Sequence, residues 1–163
     1  MNESDMSLEQ EYKEDLELLA TRAFHQKFGH LDSDVPSHLT KRKWHERADF
    51  LQEELNELRQ AIYDQNLPLI FDALLDLVFV AKGTAAMAGL PWRNGMDDVT
   101  RANLTKVPGR THRNNVSDVT KPPGWVGPRS LEILEAHGYD REAWATNDEI
   151  DEAKCLDDPE TLS

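Results

Sequence analysis

The stretch NLPLIFDALLDLVFVAKGTAAMAG, residues 66–89, decides the fold of this chain. Eleven of the thirteen residues from 69 to 81 are apolar, and the two exceptions are Asp72 and Asp76. A run of this length without strand alternation predicts a helix from residue 67 to about 88 that is packed on several sides. An ionised carboxylate in an apolar interior is normally paired, bound to a metal or neutralised. The two acids therefore call for a functional explanation.

Helical spacing of apolar residues predicts four more helices, at about 8–28, 40–63, 93–104 and 128–138. Gly29 is expected to end the first of them, and Thr40 is expected to cap the second. The segment 106–128 is rich in Gly, Pro and Asn and is predicted to be an ordered or lid-like loop. No strand is predicted. The fold class is therefore all-α, with a single domain at 8–139 and an acidic tail at 140–163.

Composition restricts the class of protein. A length of 163 residues suits one domain, with a core that a second copy of the chain could complete. A net charge of −13 disfavours binding to a nucleic-acid polymer. The acidic N-terminal segment lacks the apolar core of a signal peptide, and the run at 69–81 is too short and too acidic to span a membrane. One cysteine, Cys155, excludes an intrachain disulfide and a CxxC site. We expect a soluble, cytoplasmic protein.

This acidic chain nevertheless contains a cationic stretch between residues 101 and 129. The stretch has a single acid, Asp118, and six basic residues: Arg101, Lys106, Arg110, Arg113, Lys121 and Arg129. One interpretation is a solvated loop that happens to be basic. The other is a binding segment for a small anionic ligand, such as a phosphate group.

The second predicted helix supplies carboxylates that could meet those of the third. Its segment EELNEL contains Glu53, Glu54 and Glu57. At about 100° per residue, Glu54 and Glu57 lie at one edge of the apolar stripe, and Glu53 lies further toward solvent. The connection to the next helix is so short that the two must form an antiparallel hairpin. Glu54 and Glu57 can then face the two aspartates of the third helix.

Four converging carboxylates would repel one another unless divalent cations lay among them, and hard oxygen ligands select Mg²⁺ or Mn²⁺. Taken alone, a Glu-rich segment is usually a solvated helical face, and an Asp at a helix start is often only a partner of the helix dipole. Asp76 does not fit that alternative. It lies well inside its helix, among residues that are expected to be buried, so the combined set favours a functional interpretation.

The order of the motifs is similar to that of a known group of enzymes. EELNE, followed after fourteen residues by DALLD, resembles the EExxE and ExxD signature of the all-α nucleoside triphosphate pyrophosphohydrolases. This MazG-like superfamily includes the dimeric dUTPases and the phosphoribosyl-ATP pyrophosphohydrolases. Further motifs resemble its phage and bacterial branch, namely AFHQKFG, RADFLQEELNEL, GTAAMAG, TRANLTK and KPPGWVGP. The chain departs from the signature at Ala73, where ExxD would place a glutamate, and has a DxxxD pair instead.

The resemblance implies roles for particular residues. It implies that Glu54, Glu57 and Asp76 bind two or three Mg²⁺ or Mn²⁺ ions, with Asp72 and Glu53 completing the cluster or handling the attacking water. It also implies that the substrate is bound by a second set of side chains: Arg47, Asn103, Lys106, Arg110, Lys121 and Trp125. For Trp125, a place in the protein core is an equal alternative.

The activity implied by the resemblance is hydrolysis of a nucleoside triphosphate to a monophosphate and pyrophosphate, by attack of water on the α-phosphorus. The leading substrate is (d)GTP, by likeness to phage enzymes that trim nucleotide pools. The alternatives are a broad or pyrimidine-directed house-cleaning enzyme and a non-catalytic acidic interaction protein. We expect a homodimer or homotetramer, because the third helix is apolar all round, and a location in the host cytoplasm if the gene belongs to a phage.

Overall fold

The computed structural model describes residues 15–109 and 118–142. Within these residues the chain forms five helices and a single two-stranded sheet. The helices are α1 (Leu16–Phe28), α2 (Lys41–Tyr63), α3 (Leu67–Met87), α4 (Trp92–Leu104) and α5 (Ser130–Ala136), and the strands are β1 (Val107–Pro108) and β2 (Val119–Thr120). The prediction of an all-α fold is therefore confirmed.

Local capping fixes the ends of the first two helices. The Asp15 side chain accepts a hydrogen bond from the Leu18 amide at 3.0 Å and caps α1. Gly29 ends that helix in the left-handed region, with φ 73°, as predicted. Thr40 caps α2 by accepting from the Lys43 amide at 3.2 Å, also as predicted. Residues 8–14, where the sequence predicted the start of the first helix, lie outside the described residues.

Helices α2 and α3 form a hairpin with a tight connection, the turn Asp64–Asn66. Each of its three backbone N–H groups donates to a carbonyl in the last turn of α2. Gln65 takes a left-handed conformation, with φ 52°. The Asn66 side chain then caps α3 by accepting from the Leu69 amide at 3.3 Å. The two helices pack side by side, so the predicted hairpin is present.

The C-terminal half of α3 is enclosed by α1 and by the loop that follows α1. A Cβ atom added to Gly83 would lie 3.0 Å from His25 Nε2, so the glycine permits α1 to approach closely. The loop backbone donates to α3 carbonyls, from the Ser33 amide to Ala86 O at 3.1 Å. Just beyond the helix, a Cβ on Gly89 would lie 2.3 Å from Val35 O, so only glycine fits there.

Within the described residues, the buried apolar side chains are mostly small: Ala61, Ala73, Ala85, Ala86, Met87, Ala88 and Ala102. Many large apolar side chains of the N-terminal half of α3 are exposed instead, including Phe71 (62%) and Leu75 (52%). The predicted packing of α3 on several sides therefore holds only for its C-terminal half. The other half carries Ala73 on its covered side, and no described element covers the opposite side.

The described residues group into two compact units, those of Met1–Leu90 with Asp140–Ser163 and those of Pro91–Tyr139. The second unit contains α4, the two strands and α5. Its strands are antiparallel, with Val107 opposite Thr120 and Pro108 opposite Val119. The sequence predicted a loop here, because strands of two residues are too short to show the alternation of apolar and polar residues that identifies a strand. Helix α5 is two residues shorter at each end than predicted.

An aspartate joins α4 to the start of α5 in the second unit. Asp98 is 7% exposed and accepts from Arg101 Nε at 2.7 Å and from the Arg129 amide at 2.6 Å. The hydrogen bond from Arg101, followed by that of the Arg129 amide, holds the pKa of Asp98 far below its usual range. Among the helices of the described residues, none is both long enough and apolar enough to cross a membrane.

Candidate functional site

Five of the acidic side chains on the hairpin formed by α2 and α3 belong to the EELNE and DALLD segments. Helix α2 presents Glu53, Glu54 and Glu57, and α3 presents Asp72 and Asp76. Glu54 and Asp76 are half-buried, whereas the other three are exposed. We call these five residues the carboxylate cluster.

Glu54 lies nearest the centre of the carboxylate cluster. Its pKa is raised, first by burial and then by the negative charges of its four neighbours in the cluster, in the order Asp76, Glu57, Glu53 and Asp72. The strongest charge effect comes from Asp76, on the opposite helix. The hairpin therefore brings together the acids of EELNE and DALLD, which the sequence placed on facing helices.

In the part of the chain that the structure describes, no basic side chain pairs with these acids. The acids are also not arranged as a ready-made ligand set, because no three Asp, Glu, His or Cys side chains of the described residues are close enough to hold one metal ion. Mutual repulsion favours such separation of the side chains. The cluster is thus a concentration of uncompensated oxygen ligands.

The surroundings of Asp76 differ from the sequence-based expectation. The sequence predicted an aspartate among buried residues, but Asp76 is half-buried, and its neighbours Leu75, Val78 and Phe79 are 52%, 45% and 38% exposed. The difference arises because the described elements cover one side of this part of α3 only. Asp76 is therefore accessible to small ligands.

Arg47 ties α2 to α3 about one turn beyond Asp76. Its Nε donates to Thr84 Oγ1 and its Nη2 donates to Val80 O, each at 3.0 Å. The guanidinium also lies 5.2 Å from the centroid of the Phe50 ring. Burial lowers the pKa of Arg47. These contacts give the residue a role in holding the hairpin together, which the sequence did not indicate.

The other predicted substrate-binding residues belong to the second unit. Asn103 is exposed near the end of α4. Lys106 and Lys121 both lie over the ring of Trp125, at 5.7 and 4.6 Å from its centroid. Trp125 is half-buried, and its assignment to the substrate site remains a prediction. Arg110 lies outside the described residues.

Two of the buried polar side chains in the described residues, Lys82 and His25, were not assigned a partner from the sequence. Lys82, 5% exposed, binds Asp15 Oδ1 at 2.5 Å and also contacts Glu17. A lysine at the end of an apolar run is the same kind of anomaly as Asp76, and it could have been noticed for that reason. His25 is also buried, and its Nδ1 lies 2.5 Å from Asp32 Oδ1. Lys82 joins the start of α1 to the enclosed half of α3, and His25 joins α1 to the loop that follows it.

Comparison with known families identifies the lineage of the chain. A family model described as phosphoribosyl-ATP pyrophosphohydrolase matches residues 21–103, which is 83 of 163 residues. No curated protein gives a significant match. The chain therefore belongs to this family, within the MazG-like superfamily of all-α pyrophosphohydrolases, as its motifs predicted. Membership indicates a pyrophosphohydrolase acting on nucleoside triphosphate-like substrates, and members are typically dependent on divalent metals.

Proposed function

We propose that the chain is a metal-dependent nucleoside triphosphate diphosphatase that converts a (d)NTP, with (d)GTP as the leading substrate, to the monophosphate and pyrophosphate. The observation that carries this proposal is the placement of five acids on two packed helices, with the half-buried Glu54 of α2 near the half-buried Asp76 of α3. A fold stabilised only by its own contacts gains nothing from such a cluster. A family that hydrolyses phosphoanhydrides has a use for it.

The donor chemistry of the cluster fits a hard divalent cation. Carboxylate oxygens are the ligands preferred by Mg²⁺ and Mn²⁺. We propose that the cluster takes two or three ions together with the substrate phosphates. Glu54, Glu57, Asp72 and Asp76 are proposed as ligands, with Glu53 at the edge of the set. When bound, the ions would neutralise phosphate charge and activate water for in-line attack on the α-phosphorus. The carboxylates would hold the ions, and one of them would accept the proton of the attacking water.

The phosphates of the substrate are assigned to the cationic residues. In the second unit, Asn103 offers an amide, and Lys106 and Lys121 offer ammonium groups near an aromatic ring. Arg110 is assigned to the same role from the sequence alone. For Arg47, whose Nε and Nη2 are engaged with α3, the proposed contribution is to keep the two helices of the cluster in register.

We also propose that the protein acts as a homodimer or homotetramer. The exposed apolar side chains of the N-terminal half of α3 support this assignment, because a surface of this kind is typical of a subunit interface. Base selectivity rests on likeness to the phage branch of the superfamily. Broad house-cleaning activity and a pyrimidine preference are the alternatives that the test below separates.

A substrate panel tests the proposed activity. The purified chain is incubated with each of the eight common NTPs and dNTPs, and with phosphoribosyl-ATP, in Mg²⁺, Mn²⁺ or EDTA, and the products are separated by chromatography. We expect pyrophosphate and a monophosphate from guanine nucleotides, and no turnover in EDTA. Equal rates on all bases would indicate house-cleaning, and turnover of phosphoribosyl-ATP alone would indicate the reaction named for the family.

Two results would contradict the proposal itself. Release of orthophosphate in steps would show attack at another phosphorus atom. Absence of hydrolysis with every nucleotide and both metals would leave a non-catalytic acidic protein. Melting curves with and without Mn²⁺ then provide an independent measurement, because a ligand that binds only the folded state raises the melting temperature.

A further inference from the structure

Two lysines lie over the ring of Trp125, and the register of the strands that they flank places them opposite each other. Because Val107 pairs with Thr120 in the antiparallel sheet, the next position outward pairs Lys106 with Lys121. Like charges directly opposite on neighbouring strands destabilise the pairing. The residues that flank the two strands thus hold two positive charges near one ring, and no carboxylate of residues 15–109 and 118–142 forms an ion pair with either.

The ring of Trp125 is fixed by contacts on several sides. Its indole Nε1–H donates to Ala102 O at 2.9 Å. A Cβ on Gly127 would lie 3.2 Å from Cζ3 of the ring, so the glycine lets the backbone lie against the indole. The carbonyl of Gly127 is held in turn by Arg101 Nη2 at 3.0 Å. The ring position is therefore set by the backbone of α4 and of the segment after the turn.

The conformation of the turn before Trp125 follows from its sequence. In PPGW, the Trp125 amide donates to Pro122 O at 3.0 Å, and Gly124 has φ 73°. Proline followed by glycine at the two central positions is typical of a type II turn. The turn starts one residue after Lys121 and returns the chain so that the indole lies 4.6 Å from its ammonium group. Lysine and ring are therefore joined by a short, rigid connection.

From this arrangement we infer that Trp125 is a positioning residue that holds Lys106 and Lys121 side by side as a clamp for two adjacent phosphates of a polyphosphate. The negative face of the indole attracts both ammonium groups and offsets their repulsion. Each ammonium keeps donors for an anion, since a cation–π contact uses no hydrogen bond. The assignment of the bound group as part of a nucleotide rests on the proposed function, but the clamp itself requires no metal.

Calorimetric titration with inorganic pyrophosphate in EDTA tests the clamp apart from hydrolysis. The full chain should bind pyrophosphate at one saturable site and bind orthophosphate more weakly. Trp125→Leu should weaken pyrophosphate binding about three- to tenfold, the scale of one or two cation–π contacts. Trp125→Phe, which keeps a ring, should recover part of that loss. Lys106→Met and Lys121→Met should each weaken binding at least as much as Trp125→Leu.

A matched control is present in α1, where Lys27 lies 5.2 Å from the centroid of the Phe28 ring. Lys27→Met also removes a lysine from an aromatic ring, but among the described residues no second lysine lies over the Phe28 ring. This substitution should therefore leave pyrophosphate binding unchanged. Kinetics with the best substrate of the panel should show a raised KM and an unchanged kcat for Trp125→Leu. Circular dichroism of each variant verifies folding, and Lys121→Met tests the clamp without altering the packed ring.

The results separate the two proposals. Pyrophosphate binding that responds to Trp125 and both lysines supports the clamp even if no nucleotide is hydrolysed. Full hydrolytic activity, with pyrophosphate affinity and KM unchanged in Trp125→Leu and in Lys121→Met, would overturn the clamp and leave the proposed function intact. An equal loss of affinity in Lys27→Met would also overturn the clamp, because the loss would then follow from the change in net charge and not from the position of the lysine.

Discussion

The two halves of α3 have opposite surroundings, although they belong to one continuous helix. The C-terminal half is enclosed, and its polar groups are matched: Lys82 with Asp15 and Glu17, and the carbonyl of Val80 with Arg47. The N-terminal half carries two aspartates and several exposed apolar side chains. The C-terminal half follows the rules of a stable core, because its buried polar groups have partners. The N-terminal half breaks those rules, because it exposes large apolar side chains.

The difference between the two halves of α3 shows which half stabilises the fold and which does not. Uncompensated acids beside exposed apolar residues add nothing to the stability of a single chain. They are useful only if a ligand and another surface complete them. We therefore treat the enclosed half as the scaffold and the open half as the functional part, and the following predictions test that division.

The largest effect is expected from a single acid of the open half. Asp76→Asn removes one negative charge while preserving shape, and we expect kcat/KM on the best nucleotide to fall by at least about 100-fold. The melting temperature in EDTA should stay equal or rise, because a repulsion is removed. Steady-state kinetics and thermal melts measure the two properties separately.

Asp49→Asn is the matched control for that substitution, since Asp49 is an exposed acid of α2 outside the carboxylate cluster. Its activity should remain within about twofold of the original, as for most exposed surface positions. Equal activities of Asp76→Asn and Asp49→Asn would show that the open half is not catalytic.

Assembly provides the next test of the open half. If the exposed side chains form a subunit interface, the mass measured by light scattering at micromolar concentration should be two or four times that of one chain. Phe71→Glu, at a position 62% exposed, should shift the mass toward one chain by placing a charge in the interface. Leu104→Glu, at a position 81% exposed in the second unit, serves as the comparison. A monomeric mass for the unmodified chain would refute this assignment.

The enclosed half should respond to an added methyl group. In Gly83→Ala, the new Cβ would lie 3.0 Å from His25 Nε2 and 3.2 Å from a methyl carbon of Thr21. Since His25 is held by Asp32, we expect the free energy of unfolding to fall by about 1–3 kcal/mol. Gly95→Ala in α4, where nothing lies within 4 Å, should instead raise it by about 0.5–1 kcal/mol. Chemical denaturation of both variants gives the comparison, and equal stabilities would contradict the tight packing.

The smallest effect is expected in the pH dependence of stability without metal. The raised pKa of Glu54 means that the folded state binds its proton more tightly, so this contribution is present below about pH 4.5 and is lost as the pH rises through the folded pKa. For Asp15, burial raises the pKa, but the hydrogen bond from Lys82 and the amide of Leu18 outweigh it and lower the pKa. Its contribution is present above about pH 3.8 and is lost as the pH falls further.

Melting temperatures measured from pH 3 to 8 in EDTA should therefore separate the two halves. Relative to the original chain, Glu54→Gln should gain stability toward neutral pH. Asp15→Asn, which keeps a good N-cap, should lose stability there. The same pH slope for both variants would contradict the division of α3.

The sequence predicted the elements that depend on local periodicity. The apolar stripe of α2, the acids at 54 and 76 and the short connection between them were enough to predict the hairpin and its facing carboxylates. Helix caps such as Thr40 and Gly29 were equally accessible, because their chemistry is local.

Contacts between distant residues were not accessible in this way. The bond from the Arg129 amide to Asp98 joins residues 31 positions apart, and that from Lys82 to Asp15 joins residues 67 positions apart. No local pattern sets such a pairing. The placement of Lys106 opposite Lys121 depends on a strand pairing of only two residues, which is too short to leave a periodic signal.

The hydrogen-bonded turn Asp64–Asn66 has an evolutionary consequence. Its three backbone amides all donate to carbonyls at the end of α2, and its last side chain caps α3. Every residue of the connection is therefore held by a hydrogen bond. An inserted or deleted residue would break these bonds and turn one acid pair away from the other. Among descendants of this gene, residue identity can drift at Gln65, where glycine or asparagine would relieve the left-handed conformation. The number of residues in the turn cannot change without cost, so selection on catalysis should act here as selection on chain length.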